Sequence, residues 1–504
     1  MSALNRWIIL AIVSSALLLI VMDMTILYTA LPVLTHDMGA SASEKLWILN
    51  GYSLVMAGLL PAMGTLGDRL GYRKIFTIGL FVFSAASLLA SFSPVPAVLI
   101  ASRVLLGIGA SMMMPATLSI IRVTFTDERE RGLAIGIWGS ISAGGAGLGP
   151  LISGVLLNHF HWGSVFLINL PIALAALIFT LIFVPKHKGD PTKTWDLLGS
   201  IQIMIAMVGL IYAIKEFARR DGSVMFATIG ALIGLLTLFI FIRRQNRSLE
   251  PLLDLSLFKI PRFSTGFIVA LVGMFAQMGI QYLVTQRLQL VVGMTPLQAG
   301  IYTISIPIAS VISGTIIGMF LYRVDSIRIK TISLITAAIG MGLFLWQFDA
   351  NVIVQIFGLF LVGAGIGAGM TAASYSIMSE APPHKAGMAA SIEEVAYEVG
   401  GASGIAIIGS TSTLAYTFSM HVPSGINAPE NVRDSLDEAL LAAEQLPTEA
   451  AEMLRMAGRT AFDYSFFMVI AGITIFLVVA SITVTLIGRR TTKQAHLKTG
   501  DKII

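Results

Sequence analysis

Apolar residues run along this chain in long stretches separated by short polar segments, and few of the stretches contain a charge. A helix needs roughly 17 to 25 such residues to cross about 30 Å of hydrocarbon. Stretches of that length lie near 7–31, 46–67, 75–94, 97–121, 132–157, 164–184, 196–214, 224–242, 264–286, 296–321, 329–347, 351–378, 386–414 and 464–487. They predict fourteen transmembrane helices and an all-α integral membrane fold. Composition agrees, with 56% hydrophobic and 12% charged residues, where soluble domains carry about a quarter charged.

Loop charge tests the count, because Lys and Arg collect on the cytoplasmic side. With a cytoplasmic N-terminus and alternating spans, Arg6, Arg69, Arg73, Lys74, Arg122, Arg129, Arg131, Lys186, Lys188, Lys193, Arg243, Arg244, Arg247, Lys259, Arg262, Arg323, Arg328, Lys330, Lys385, Arg489, Arg490, Lys493, Lys498 and Lys502 fall inside. These are 24 of 33; seven fall outside, and Arg103 and Arg287 lie in or beside spans. A miscounted helix would invert every later loop, so both termini are expected inside. The net charge of +5 then reflects topology and no nucleic-acid partner. The first span follows Arg6 and has no small-residue cleavage site after it, so it is expected to stay as an anchor.

Several chemistries find no support. There is no cysteine, hence neither disulfides nor thiol-metal chemistry. No phosphate-cradling G-x-x-x-x-G-K-[ST] loop is present, and the seven histidines fall in loops or tails without an H-E-x-x-H pattern. The expectation is no metal and no enzyme. The exterior stretch of about 417–463 carries Glu430, Asp434, Asp437, Glu438, Glu444, Glu449 and Glu452; it reads as a solvated connector, with a surface helix open for its second half.

The chain repeats itself. An offset of 255 superposes Gly145, Gly149 and Gly154 on Gly400, Gly404 and Gly409; offsets of 258 and 254 superpose Gly109 on Gly367 and Gly64 on Gly318. Two six-helix halves are expected, at 1–186 and 264–504, with two inserted spans within 187–263. Repeat halves around a midplane site are the architecture of secondary transporters.

Against that background, Glu393, Glu394 and Glu398 stand out in an apolar, glycine-rich span, where the first half has Trp138, Gly139 and Ala143. Glu394 and Glu398, four apart, share a helix face, and Glu393 sits about 100° round. A central acid costs about 2.5–3.5 kcal/mol to insert, so each should be protonated when empty or paired with a cation when loaded, which is the chemistry of proton-for-cation exchange. Polar glue between helices is the alternative. Asp23 is a second intramembrane acid, for which proton or substrate binding and packing both stay open. Arg103 is a proton-relay organiser or a structural ion-pair partner.

The loop motif Gly64-Thr65-Leu66-Gly67-Asp68-Arg69-Leu70-Gly71-Tyr72-Arg73-Lys74 resembles the cytoplasmic signature of the major facilitator superfamily. Leu99 to Arg103 through Gly107 to Ala110 resembles its fourth-helix motif, and Gly145 to Pro150 with Gly154 its antiporter motif. Met22-Asp23-Met24-Thr25, Ala30-Leu31-Pro32, Trp162 to Pro171 and the glutamate segment are similar to fourteen-span drug:proton antiporters, the bacterial exporters of quaternary ammonium compounds and methyl viologen. Glycines 64, 67 and 71 permit a tight turn, and Asp68 with its basic neighbours can latch helix ends across the halves. Gly145 and Gly149 form a face for close helix approach, and Pro150 can bend the helix. Departures are Asn50 and Ser310, where relatives carry acids, and Tyr28, where they carry Asn.

The resemblance implies export of lipophilic cations by alternating access at a bacterial inner membrane. The proton gradient is the energy source, with no cofactor; the partners are cationic drugs, protons and the bilayer, and the unit is a monomer. Aromatic rings and methionines suit such cargo, so Trp47, Tyr52, Trp138, Tyr282, Tyr397, Met56, Met274 and Met278 are candidate linings, with Asn50, Gln277 and Gln281. The alternatives are an exporter of a metabolite or siderophore and, outside transport, a membrane-embedded sensor or enzyme.

Overall fold

The computed structural model describes all residues except 1–2, 41, 187–188, 191–195, 219–221, 249–250, 349–350, 427 and 501–504. Its long helices are α1 (Ala3–Asp37), α2 (Ala42–Leu70), α3 (Tyr72–Ser91), α4 (Pro96–Thr124), α5 (Glu128–His159) and a broken α6 (Ser164–Leu167 and Asn169–Phe183). There follow α7 (Leu197–Ala218), α8 (Val224–Gln245), α9 (Pro261–Gln286), a broken α10 (Pro296–Thr303 and Ser305–Phe320), α11 (Ser326–Trp346), α12 (Val352–Glu380), α13 (Ala386–Ser419) and α14 (Thr448–Gly500). Thirteen of these are long and apolar enough to cross a membrane. The fourteenth expected span is α13, whose glutamates, glycines and serines make it less apolar; it lies against α2, α4, α7, α9 and α14.

Caps and breakers set the ends. The Asp127 side chain accepts the Glu130 amide and starts α5, Thr295 and Gln298 form a reciprocal capping box at α10, and the Asn351 side chain caps α12. Gly71 separates α2 from α3 at φ 94°, a backbone conformation suited to glycine. Gly64 and Gly67, expected to serve that turn, lie inside α2.

The two halves meet closely at the face that carries the N-terminus. A Cβ on Gly64 (α2) would lie 2.3 Å from the Gly387 carbonyl oxygen (α13), and one on Gly132 (α5) 2.5 Å from that of Gly318 (α10). These crossings are related by the repeat, since Gly132 maps on Gly387 and Gly64 on Gly318. The apolar core follows suit. Residues of α1–α6 share one cluster with Phe263, Leu321, Ile329, Ile377, Met378 and Ala386 through Ala390, all at the N-terminal face of the second half. The remaining second-half core forms its own cluster from Val269 to Val484. At the opposite side, Trp47 is 50% exposed, and a Cβ on Gly144, Gly154 or Gly300 would meet nothing within 4 Å. The bundle is thus joined at its N-terminal face, and α5 still meets α10 at Gly147 and Pro307.

The stretch 417–463 is more than a connector. A short helix, Leu436–Ala443, lays Leu436, Ala439 and Ala443 on Ala451 and Leu454 of the outer extension of α14, and the Tyr416 hydroxyl donates to the Val432 carbonyl at 3.2 Å. Arg287, buried at the end of α9, pins the extension through Asp463 at 2.7 Å. The expected solvated connector is corrected to a packed cap, because its alanines and leucines recur at helical spacing and find an apolar partner.

Candidate functional site

Asp23 of α1 does not stand alone. One carboxylate oxygen receives the Arg103 guanidinium of α4 at 2.5 Å, and the other receives the Asn169 side-chain amide at 3.1 Å. The break in α6 at Ile168 sets Asn169 at the start of its second piece. Arg103 also donates to the Ile48 carbonyl at 3.1 Å and stacks over Tyr52, 4.5 Å from the ring centre. The exposures of Asp23 and Arg103 are 2% and 1%. A buried charge is tolerable when paired and hydrogen-bonded, so of the two readings left open for Arg103 the geometry supplies the ion pair.

The α13 acids occupy three different environments. Glu393 accepts hydrogen bonds on one oxygen, from Ser374 of α12 and from the Tyr397 hydroxyl at 2.5 Å; its other oxygen has no partner. Glu394 is fully buried with neither oxygen hydrogen-bonded. Glu398, on the same face one turn on, is half-buried and has no direct partner among the described residues. Among the described residues, no cation contacts any of the three. A buried carboxylate without a partner costs far more than a neutral acid.

Lys215 of α7 is the residue that sequence reasoning missed. Its ammonium donates to Asn50 Oδ1 and Ser53 Oγ of α2, both at 2.8 Å, and lies within electrostatic reach of Glu398. The span drawn at 196–214 ends one residue before it and made it a loop charge; α7 continues to Ala218. A buried lysine, Lys330, was also read as a loop charge. Its ammonium is held by the Arg262 carbonyl, Thr265 and Ser376 at 3.0, 2.8 and 3.1 Å, which ties α11 to α9 and α12.

At the N-terminal face, the expected latch is present. Asp68 accepts the Gly387 and Met388 amides at 2.9 and 3.2 Å, placing a carboxylate on the positive N-terminus of α13, and Tyr72 donates to it at 2.6 Å. Arg73 donates to the Leu181 carbonyl at 2.7 Å within the first half, while Arg69 is half-buried and Lys74 exposed. The linker between α8 and α9 adds Asp254, paired with Lys385 at 2.8 Å. Partial burial pushes the Asp254 carboxyl up, but hydrogen bonds from Lys385 and Ser256 outweigh it and hold it below its ordinary 3.8. A depressed carboxyl stabilises the fold above its unfolded value and loses that contribution as pH falls through the folded one. The clamp is therefore expected to be intact at neutral pH and to weaken only below about pH 4. Comparing wild type with Asp254→Asn by thermal unfolding across pH 3 to 7 checks this: the two curves should converge at the acid end, and parallel curves would refute it.

The other site residues fall into two groups. Gly145 faces Leu18 and Val21 of α1, and a Cβ on Gly149 would collide with the Thr25 hydroxyl, so α5 packs tightly on α1 there. Gly154 makes no such approach; the side chain of Pro150 lies outside the described residues, and α5 is continuous through it. Trp138 is buried and donates to Thr117 at 3.1 Å, and Met56 is wholly buried, so both are packing residues rather than open walls in this arrangement. Gln277, Gln281, Tyr282, Met274 and Met278 are half-buried along α9. Tyr397 is committed to Glu393.

Long helices of this kind, joined at one face around buried acids, fit a transporter. Residues 13–405 match the Major Facilitator Superfamily. The chain belongs to that superfamily. It is similar to the methyl viologen resistance protein SmvA of Salmonella typhimurium, 37% identical over 93% of this chain and 95% of that one. It is also similar to the multidrug efflux pump LfrA of Mycolicibacterium smegmatis, 36% identical over 91% and 92%. Among solved structures, the human organic anion transporter MFSD10 superposes with a TM-score of 0.61 at 15% identity, over 93% of this chain and all of that one, and so shares the fold. A superfamily member of this kind is a transporter and no enzyme.

Proposed function

We propose that this chain is a proton-coupled efflux antiporter for lipophilic cations such as quaternary ammonium antiseptics, cationic dyes and viologens. It works as a monomer in a bacterial inner membrane with both termini in the cytoplasm. The observation that carries the reading is the α13 row of Glu393 and Glu394, fully buried, and Glu398, half-buried, with no cation in contact among the described residues. Substrate and proton compete for the same oxygens: a cation entering releases protons, and protons arriving release the cation. Names of relatives that handle methyl viologen and multiple drugs support the cargo class.

With the N-terminal face cytoplasmic, the glycine crossings and the Asp68 latch would close the inside. Protons from outside would reload the acids before the bundle rocks inward. Each charge moved supplies about 2.3 kcal/mol per 100 mV and each pH unit about 1.4 kcal/mol per proton, enough for cation gradients of about tenfold to several-hundredfold.

The test is ethidium-driven proton release from proteoliposomes. Glu394→Gln and Glu398→Gln are expected to lower coupled release by about a hundredfold, the loss that corresponds to one central charge. Asp23→Asn should reduce it too if the first-half acid shares the proton path. Intact coupling in both glutamine variants would remove the row from the exchange, and no ethidium-linked flux in wild type would remove the cargo class.

A further inference from the structure

The exchange reading leaves Lys215 unused, although it faces the same acid. Four and eight residues before it, Ile211 and Met207 pack with Leu54 and Ala57 of α2, and Val395, Val399 and Ala402 of α13 close over that cluster. At helical spacing, Lys215 continues the face of Ile211, and Glu398 falls between Val395 and Ala402. Both side chains therefore belong to one seam, where the inserted helix α7 meets α2 and α13.

The ammonium is anchored there. Asn50 and Ser53 accept two of its hydrogens, both from 2.8 Å, and the third has no acceptor among the described residues. Both anchors are neutral, so they hold the lysine without cancelling its charge. The carboxylate that α13 brings to this seam is Glu398, with no ion pair in contact distance between them. Asp23, by contrast, is already balanced by Arg103. An incoming cation therefore meets Glu398 with the Lys215 amine beside it.

We propose that Lys215 is a charge-selecting residue of the cation site, an internal cation on the inserted helix that shares Glu398 with the substrate and weighs against each further positive charge the substrate carries. The inference rests on the cation-efflux reading. A ligand with two charges feels this repulsion about twice as strongly as one with a single charge. At an effective dielectric near 20 and a separation near 10 Å, each extra ligand charge then changes affinity by about tenfold.

Equilibrium binding of ethidium, with one charge, and methyl viologen, with two, to the full chain in nanodiscs tests this in wild type, Lys215→Met, Lys215→Gln and Lys215→Arg. Lys215→Gln keeps a donor for Asn50 and Ser53 and guards against a packing defect in Lys215→Met. The ratio of the two affinities is the readout, because any change in how readily Glu398 holds a proton acts on both ligands alike and cancels. The ratio is expected to shift toward methyl viologen by about tenfold in Lys215→Met and Lys215→Gln and to stay within about twofold in Lys215→Arg. An unchanged ratio in the neutral variants, or an equal shift in Lys215→Arg, overturns the role of Lys215 while leaving cation binding in place. Wild type that binds neither ligand overturns the efflux reading itself and this inference with it.

Discussion

Arg103→Met is expected to destabilise the folded chain by about 3–5 kcal/mol, the cost of leaving one partner of a buried ion pair uncompensated. Asp23 would keep only the Asn169 amide, in a position 2% exposed, and Tyr52 would lose the guanidinium stacked on it. The double variant Asp23→Asn, Arg103→Met removes both charges and should recover most of the loss, since a buried pair replaced by neutral groups is often close to neutral in stability. Thermal unfolding in one detergent for the single and double variants measures this. A single variant as stable as wild type would mean that Asp23 is held as a neutral acid, which would turn the pair into a proton site.

The second large effect concerns closure. In Gly64→Ala the new methyl would lie 2.3 Å from the Gly387 carbonyl oxygen, and in Gly132→Ala 2.5 Å from that of Gly318. In both cases the neighbour is backbone and cannot rotate away. Overpacking costs about 1–3 kcal/mol at each site, so the double variant loses about 2–6 kcal/mol from the arrangement joined at the N-terminal face. Near the upper end, that is enough to carry a two-state equilibrium from 99:1 to about 1:99. Transport should fall by about a hundredfold, while binding of substrate from the N-terminal side survives. The chain has no cysteine, so spin labels on introduced cysteines at the ends of α2 and α13 report the distance directly. Lengthened distances are expected; unchanged ones with normal transport would show that the crossings are incidental.

Much of the fold was legible because hydrocarbon leaves little choice. Long apolar runs must be helices there, and a mistake in their number would have scrambled the charge pattern of every later loop. The acids were legible for the same reason, since a carboxyl in such a run has no cheap explanation. What stayed hidden were relations between distant elements. Nothing local marks Asn169 as a partner of Asp23, or Ser374 of Glu393. Lys215 and Lys330 looked like ordinary loop charges, because long ammonium side chains near helix ends usually reach for water, whereas here serine, threonine and carbonyl acceptors hold them inside. Gly64 and Gly67 were drawn to the turn by their neighbour Gly71; only the backbone of α13 shows that Gly64 makes room for another helix. The packing of the cap stayed hidden, because an alanine- and leucine-rich stretch marks a surface helix without showing which core it covers.

That cap has a practical consequence. Its apolar contacts, from Val432 to Leu454, all belong to the second-half core, and Arg287 bolts it to α9. It should travel with the second half as one rigid piece, standing clear of the lipid like a mast. A fluorophore fixed on Leu436–Ala443 and another at the outer end of α3 would turn the rocking of a membrane-buried machine into an optical signal readable in single molecules, without touching any residue that handles cargo.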